Sequence, residues 1–411
     1  MRIGIIGLGT VGKGILEILT TRDLGIQLVA VVDRSIEKKK DLLKNIPGSS
    51  DIDLILKDTS IDAVVELIGG IDTALYIARS ALDANKHLIT ANKALLAEHG
   101  YALFQLARKQ QKHILFEAAI AGAIPIVRNI ESIFRYEKIN NLRGILNGTT
   151  NYILTRMRKE GRPYAEILKD AQAHGLAESD PTLDVQGFDA GQKLALLVSL
   201  ITGEWVESKN IPVRGITEIT SLDVEWSDKF NQRLRLVAEY LTQDGKHYMH
   251  VTPMLVSEQN ELHDVEYENN AIAFSGEFSQ EHLFTGKGAG KLPTAFSVLS
   301  DLMHLKEGKP KWISESAEKY LPIADIAETS CAFYLRLRVK DQRGVLAAIA
   351  QILGNNALSI ASVHQNAGEH GITDLVIHTH KEKRKFFYSA MNELKKLENL
   401  ISEIIYIPIL E

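Results

Sequence analysis

The sequence predicts an α/β protein: a doubly wound parallel sheet, then an α+β region, then a βαββαβ module at the end of the chain. Three observations predict it. From Met1 to about Ala119 short apolar runs alternate with helical patterns, and strands separated by helices imply a parallel sheet with helices on both faces. A glycine-rich turn, Gly7-Leu8-Gly9-Thr10-Val11-Gly12, joins the first apolar run to the first helical one. Beyond Ser330 the pattern starts afresh as strand, helix, two strands, helix and strand, a ferredoxin-like outline.

Taken in order, residues 3–6, 28–32, 63–67, 87–90 and 114–116 read as the strands of a first domain, 1–125. A second domain, 126–302, carries helical stretches at 190–201 and 230–241 and strands between 248 and 278, and its last part is expected to return to the first domain. Residues 303–329, with Gly308, Pro310 and Pro322 and weak periodicity, read as a linker. In the last domain, 330–411, Phe333, Leu335, Leu337 and Val339 alternate with Tyr334, Arg336, Arg338 and Lys340, the period of a half-buried strand. A helix at 345–353, strands near 360 and at 374–380, a helix at 385–397 and a strand at 404–409 complete it.

Composition narrows the function classes. The chain has 411 residues, 45% hydrophobic and 24% charged, enough for two to three domains with sizeable cores. Its 47 basic and 52 acidic residues leave a net charge of −5 without a long single-sign block, so neither nucleic acid nor an anionic membrane is the expected partner. A small metabolite is. Cys331 is the single cysteine, which excludes an intramolecular disulfide or a multi-thiolate metal site and suits a reducing cytoplasm. The chain opens directly on its first strand without a basic-then-apolar leader, and no apolar run approaches the ~20 residues of a membrane span. The expected location is cytoplasmic.

The glycine turn fits G-x-G-x-x-G between a strand and an amphipathic helix at 11–19, the Rossmann fingerprint for a dinucleotide. One glycine makes the tight turn, one lets backbone approach pyrophosphate, and one packs helix on strand. Asp33 ends the next strand, where a carboxylate can accept from a ribose 2′-OH and repel a 2′-phosphate. That favours NAD. Arg34, followed by Lys38, Lys39 and Lys40, leaves NADP open, although a lysine run is also an ordinary solvated helix face. Lys93 follows the strand 87–90 at the carboxyl edge of the sheet, where α/β proteins bind ligands. Residues 171–193 then gather Glu178, Asp180, Asp184, Asp189 and Lys193, with Asp189 and Lys193 spaced i,i+4 on one helical face. Spacing by itself fits a surface salt bridge equally well. Among glycines, Pro181 and further acids, such a lysine can instead trade a proton with a hydroxyl.

This stretch closely resembles the signature of homoserine dehydrogenases, A-x3-G, D-P-x2-D, G-x-D and a closing lysine, filled by Ala171, Gly175, Asp180-Pro181, Asp184, Gly187, Asp189 and Lys193. The resemblance extends over the chain through residues 7–12, 90–93, 116–125, 147–152, 286–290 and 293–295. It implies interconversion of L-aspartate 4-semialdehyde and L-homoserine with NAD(P)H. In that reading Lys193 is the proton donor and Asp189 orients it. Glu178 and Asp184 bind the substrate amino end beside Gly148 and Thr149, and Lys93 lies near the reacting end or the carboxylate. The cofactor set becomes Gly7, Gly9, Thr10, Val11, Gly12, Asp33, Arg34, Lys93 and Gly288. Val32 stands where many relatives carry a basic residue, which weakens the case for NADP.

Residues 117–124 resemble the family's monovalent-cation loop, which implies sodium held by Glu117 and the carbonyls of Ile120, Gly122 and Ile124. The C-terminal module resembles an ACT domain through Asp341-Gln342-Arg343-Gly344-Val345-Leu346, Ile349-Ala350 and Ser359-Ile360. The effector this implies is threonine, although some ACT domains only dimerise. A homodimer or homotetramer is expected. Two other functions fit parts of the pattern: a cofactor-binding amino-acid sensor without turnover, and another Rossmann carbonyl oxidoreductase. Acyl-phosphate chemistry is disfavoured, because no cysteine precedes Cys331 to act as a thiolate nucleophile.

Overall fold

Branched aliphatic residues build the first sheet. Strands β1 (Arg2–Ile6), β2 (Gln27–Val32), β3 (Gly48–Ser49), β4 (Ala63–Glu66), β5 (His87–Thr90) and β6 (Ile114–Leu115) pair in the order β3-β2-β1-β4-β5-β6. All five pairings are parallel. Ile3, Ile5, Val31, Val64 and Val65 have no exposed surface, as expected of strands covered by helices on both faces. The strand order reverses between β1 and β4, and the glycine turn lies at the carboxyl end of β1, the switch point at which doubly wound sheets bind ligands.

This computed structural model describes residues 1–308, 319–365, 368 and 370–411, in two units. The first unit comprises Met1–Leu142, Asp189–Ile211 and Glu268–Pro322; the second comprises Arg143–Phe188, Pro212–Tyr267 and Ile323–Glu411. In the first unit, the helix Lys291–Lys306 packs on the helix Thr10–Thr21 and shares its core, with Ala295, Val298, Leu299 and Leu302 beside Ile3, Ile15 and Leu16. A Cβ on Gly14 would meet Lys291 O at 2.7 Å, so glycine permits this approach. The helix continues into the stretch read from sequence as a linker, and residues 309–318 of that stretch lie outside the described residues. A hairpin of Asn269–Gly276 and Gln280–Lys287 also belongs to this unit.

The second unit corrects one expectation. Residues 230–241 do not form a helix; Gln232–Gln243 is a strand, paired antiparallel with Lys246–Ser257. Every residue from Leu234 to Tyr240 is buried, so both faces of the strand demand packing and no clean apolar/polar alternation marks it. The signal was Asp244-Gly245, with φ of 52° and 72°, the pair of positive angles a two-residue hairpin turn requires.

The C-terminal module orders its strands Ile405–Leu410, Ser330–Lys340, Ile372–Thr379 and Ile360–Gln365, all antiparallel, with helices Val345–Asn355 and Arg384–Leu394 on one face. Ile409 and Leu410 pair in parallel with Leu255 and Val256, which continues the sheet from the hairpin into the module. The expected solvent face of Ser330–Lys340 is not all solvated. Tyr334 and Arg336 are buried against the helix Ser221–Lys229. Arg336 donates to both oxygens of Asp223, at 2.7 and 3.0 Å, and the Tyr334 hydroxyl donates to the same carboxylate at 3.1 Å. Asp223 also closes a capping box with Thr220. Burial raises the Asp223 pKa, but Arg336 and, after it, Thr220 more than reverse this and hold it below the ordinary carboxylate range.

A fully buried ion pair loses several kcal/mol when one partner is removed, because the other charge is stranded. Asp223→Ala is therefore expected to lower the unfolding free energy by about 3–5 kcal/mol in urea titrations. Because the folded-state pKa is depressed, this stabilisation is present at neutral pH and is lost only as pH falls below the unfolded value near ~4 and through the lower folded one. A loss below ~1 kcal/mol would assign the pair no net role.

Candidate active site

The glycine turn performs the three tasks its spacing requires. Gly7 has φ +106°, and a Cβ there would sit 2.6 Å from Leu67 C; a Cβ on Gly12 would sit 2.5 Å from Gly7 O. Nothing lies within 4 Å of a Cβ built on Gly9, which leaves backbone open to a ligand. Gly7, Gly9, Asp33 and Arg34 line one cavity of about 460 Å³, together with Lys39 and Leu67. Thr10 and Val11 begin the helix beside it. The residues fit a dinucleotide.

Asp33 is more constrained than the sequence indicates. Its Oδ2 accepts the Leu8 N–H at 2.7 Å, and its Oδ1 accepts the N–H and hydroxyl of Ser35, both at 2.8 Å, and the Lys39 ammonium at 2.7 Å. Burial pushes its pKa up, and these bonds, Lys39 foremost, bring it far below the ordinary value. One residue of the lysine run is thus a partner of the acid.

Asp189, Lys193 and Lys93 converge. The helix Phe188–Thr202 begins just after Gly187, whose φ is +86°, and carries Asp189 in its first turn with Lys193 one turn on. Lys193 Nζ donates to Asp189 Oδ2 at 2.7 Å, and Lys93 Nζ lies 3.1 Å from Asp189 Oδ1. Asp189 is 4% exposed and Lys193 8%, so this is not the surface salt bridge that spacing allowed. One buried carboxylate holds two ammonium groups.

The second unit carries the other expected substrate residues. Gly148 and Thr149 start the helix Gly148–Glu160, and Thr149 donates to Leu176 O at 2.9 Å. Asp184, in the short helix Thr182–Val185, accepts from Asn147 Nδ2 at 2.7 Å. Asn147, absent from the expected set, caps the helix by accepting the Thr150 N–H at 2.8 Å and so orients Asp184 as well. Its signal was an asparagine directly before a helix start. Glu178 is exposed, its carbonyl accepting from Gln172.

In the first unit, Glu117 is 1% exposed and accepts the N–H groups of Val127 and Arg128, each at 2.9 Å. Gly122 O accepts the Ser297 hydroxyl at 2.5 Å, and Ile124 O accepts the Ile126 N–H at 2.9 Å. Ile120 ends the short helix that Glu117 begins. A carboxyl group and main-chain carbonyls are oxygen donors of the type a hard cation takes, and here each of the Glu117, Gly122 and Ile124 oxygens accepts from the protein. Among the described residues, no group of three or more His, Cys, Asp and Glu side chains is placed to hold a metal ion. Gly288 packs against Asn270 and Gly122, beside this loop and outside the lining of the dinucleotide cavity.

Comparison with known proteins agrees along the whole chain. Family models described as "Homoserine dehydrogenase, NAD binding domain", "Homoserine dehydrogenase" and "ACT domain" match residues 7–117, 125–303 and 333–399. A homoserine dehydrogenase of Bacillus subtilis is 34% identical over 417 residues, covering 97% of this chain and 95% of its own. One of Helicobacter pylori is 35% identical over 413 residues, covering 98% and 96%. Among solved structures, a homoserine dehydrogenase from Thiobacillus denitrificans superposes with a TM-score of 0.94 at 31% identity, covering 100% of this chain and 98% of that one. A hyperthermophilic archaeal homoserine dehydrogenase in complex with NADPH gives 0.62 at 26% identity, covering 76% and 99%.

The buried acids of the first unit make stability depend on pH. Burial pushes Glu117 up to about 7 and Glu131 to about 8, and it raises Asp301, whose Oδ2 accepts the Glu117 N–H at 3.0 Å. Folded values above the unfolded ones mean that the folded state binds more protons in that interval, so stability falls as pH rises from ~4.5 to ~8. In sodium-free buffer Glu117→Gln is expected to reduce that fall by about 1–3 kcal/mol. An unchanged slope in thermal melts would show that Glu117 is not the group that titrates.

Proposed function

The chain belongs to the homoserine dehydrogenase family and carries that family's oxidoreductase domains with a C-terminal ACT domain; on that premise we propose that it reduces L-aspartate 4-semialdehyde to L-homoserine with NAD(P)H. The observation that carries this reading is the single buried carboxylate of Asp189 between Lys193 and Lys93. A bound dihydronicotinamide supplies the hydride. Lys193 Nζ gives its proton to the carbonyl oxygen as negative charge develops there, general acid catalysis by a group held in one direction by Asp189 Oδ2. Lys93 adds a second positive charge beside the reacting end or the substrate carboxylate. Glu178 and Asp184 take the ammonium, beside Gly148 and Thr149, with Asp184 oriented by Asn147. The sensor without turnover is the weaker reading, because a sensor has no use for a buried carboxylate shared by two lysines.

The choice of cofactor turns on Lys39. Asp33 by itself favours NAD by repelling a 2′-phosphate, but Lys39 at 2.7 Å offsets that charge, and Arg34 lines the same cavity. Both cofactors are therefore proposed to bind. Sodium at Glu117, Ile120, Gly122 and Ile124 would compensate a buried carboxylate, and its addition to the melts above should then offset the loss at high pH. The turn Asp341–Gly344, where Gly344 has φ +88° ahead of the helix Val345–Asn355, is the proposed threonine contact. Threonine inhibition that survives Asp341→Ala would place the effector elsewhere. A homodimer or homotetramer in the cytoplasm completes the proposal, the former open to ultracentrifugation. No helix among the described residues is long and apolar enough to cross a membrane.

Lys193→Ala is expected to lower kcat at least ~100-fold, the scale of a lost general acid, while NAD(P)H still binds. Near-normal turnover with aspartate semialdehyde would return Lys193 to a structural role. Lys39→Ala should lower kcat/KM with NADPH about tenfold relative to NADH, as expected for one lost contact to a 2′-phosphate. An unchanged ratio would remove Lys39 from cofactor selection.

A further inference from the structure

Glu66 ends β4 with no exposed surface, and the chemistry above gives it no task. Its hydrogen bonds show one. Oε1 accepts the Ile68 N–H at 2.8 Å, with the Gly69 N–H also contributing, and Oε2 accepts the Thr90 hydroxyl at 2.6 Å. Thr90 Oγ1 in turn accepts the Asn92 N–H at 3.0 Å. Asn92 closes the ring, because its Nδ2 donates to Gly70 O at 2.6 Å while its Oδ1 caps the helix Lys93–Lys109 through the Leu95 N–H at 3.0 Å. Two loops are tied by this ring. Leu67, Ile68 and Gly69 line the dinucleotide cavity, and Lys93, first residue of the capped helix, reaches Asp189.

We propose that Glu66 is a positioning residue of the reaction: it clamps the turn after β4 to the turn after β5 and thereby sets Lys93, and the Asp189–Lys193 pair that Lys93 contacts, in register with the cofactor cavity. The inference rests on the reading of those three residues as the reacting cluster. A carboxylate suits the clamp because both of its oxygens face donors. Gly69 and Gly70 each have φ +71°, a conformation in which the turn can present main-chain N–H groups to one acceptor. Glutamine would keep one acceptor and turn an N–H toward Thr90, whose oxygen already accepts from Asn92, so the hydroxyl hydrogen would lose its partner. Burial raises the Glu66 pKa, against the three hydrogen bonds that lower it.

The test is a double-mutant cycle on turnover. Wild-type protein must first oxidise NAD(P)H in the presence of aspartate semialdehyde; without that, the functional reading fails and Glu66 is not yet in question. Glu66→Gln is then expected to lower kcat about tenfold or more, with circular dichroism and melting temperature close to wild type. Lys93→Ala lowers kcat as well, and the double variant should match Lys93→Ala within about twofold, because Glu66 acts through Lys93. A Glu66→Gln kcat within about twofold of wild type, or a double variant that falls by the product of the two single effects, overturns the proposal. Should Glu66→Gln not fold, Thr90→Val breaks the same link at similar volume and is read in the same way.

Discussion

The proposed chemistry depends on one constraint: Asp189 is held buried between two lysines. Lys193 comes to it along a single helix, four residues on, which local spacing guarantees once the helix begins at Phe188. Lys93 comes from a different element, the first residue of a helix capped by Asn92. Burying Asp189 and Lys193 costs far more than a surface pair would, and only close geometry repays it. The position of Lys93 is therefore not incidental. It needs the carboxyl ends of β4 and β5 held to one another, which is what Glu66, Thr90 and Asn92 accomplish.

In the second unit a comparable constraint ties the ACT domain to its neighbour. Tyr334 and Arg336 extend from the central strand of the ACT domain onto Asp223 of a neighbouring helix, and the last strand of that domain continues the sheet of the hairpin Gln232–Ser257. Glu239 and His250 of the same hairpin form a second buried pair at 2.9 Å, and Arg143, from the strand Ile139–Ile145, reaches Glu239 at 2.8 Å. Undocking the domain would break the bonds of Arg336 and Tyr334 to Asp223.

Much of this was legible in the residues. The parallel sheet followed from alternating patterns, and the glycine turn from its three spacings, because each of these signals is local. The ferredoxin-like order of the C-terminal strands was equally visible. What escaped depended on packing and pairing that spacing does not reveal. The strand Gln232–Gln243 is buried on both faces, which erased the alternation that would have identified it. Lys39 could not be told from a solvated lysine until its ammonium was found on Asp33. Glu66 and Thr90 lie 24 residues apart, and no spacing rule joins the ends of adjacent parallel strands. Likewise, Tyr334 and Arg336 read as a wet face because the helix covering them lies more than a hundred residues earlier.

The claim at the centre is that the charge of Asp189, not merely its shape, prepares Lys193 to give up a proton in the right direction. Asp189→Asn tests it most directly, since the amide keeps the volume and one acceptor but removes the charge shared by the two lysines. With aspartate semialdehyde and NAD(P)H, the account predicts a kcat at least ~100-fold lower with cofactor affinity retained. A kcat within about twofold of wild type would contradict it.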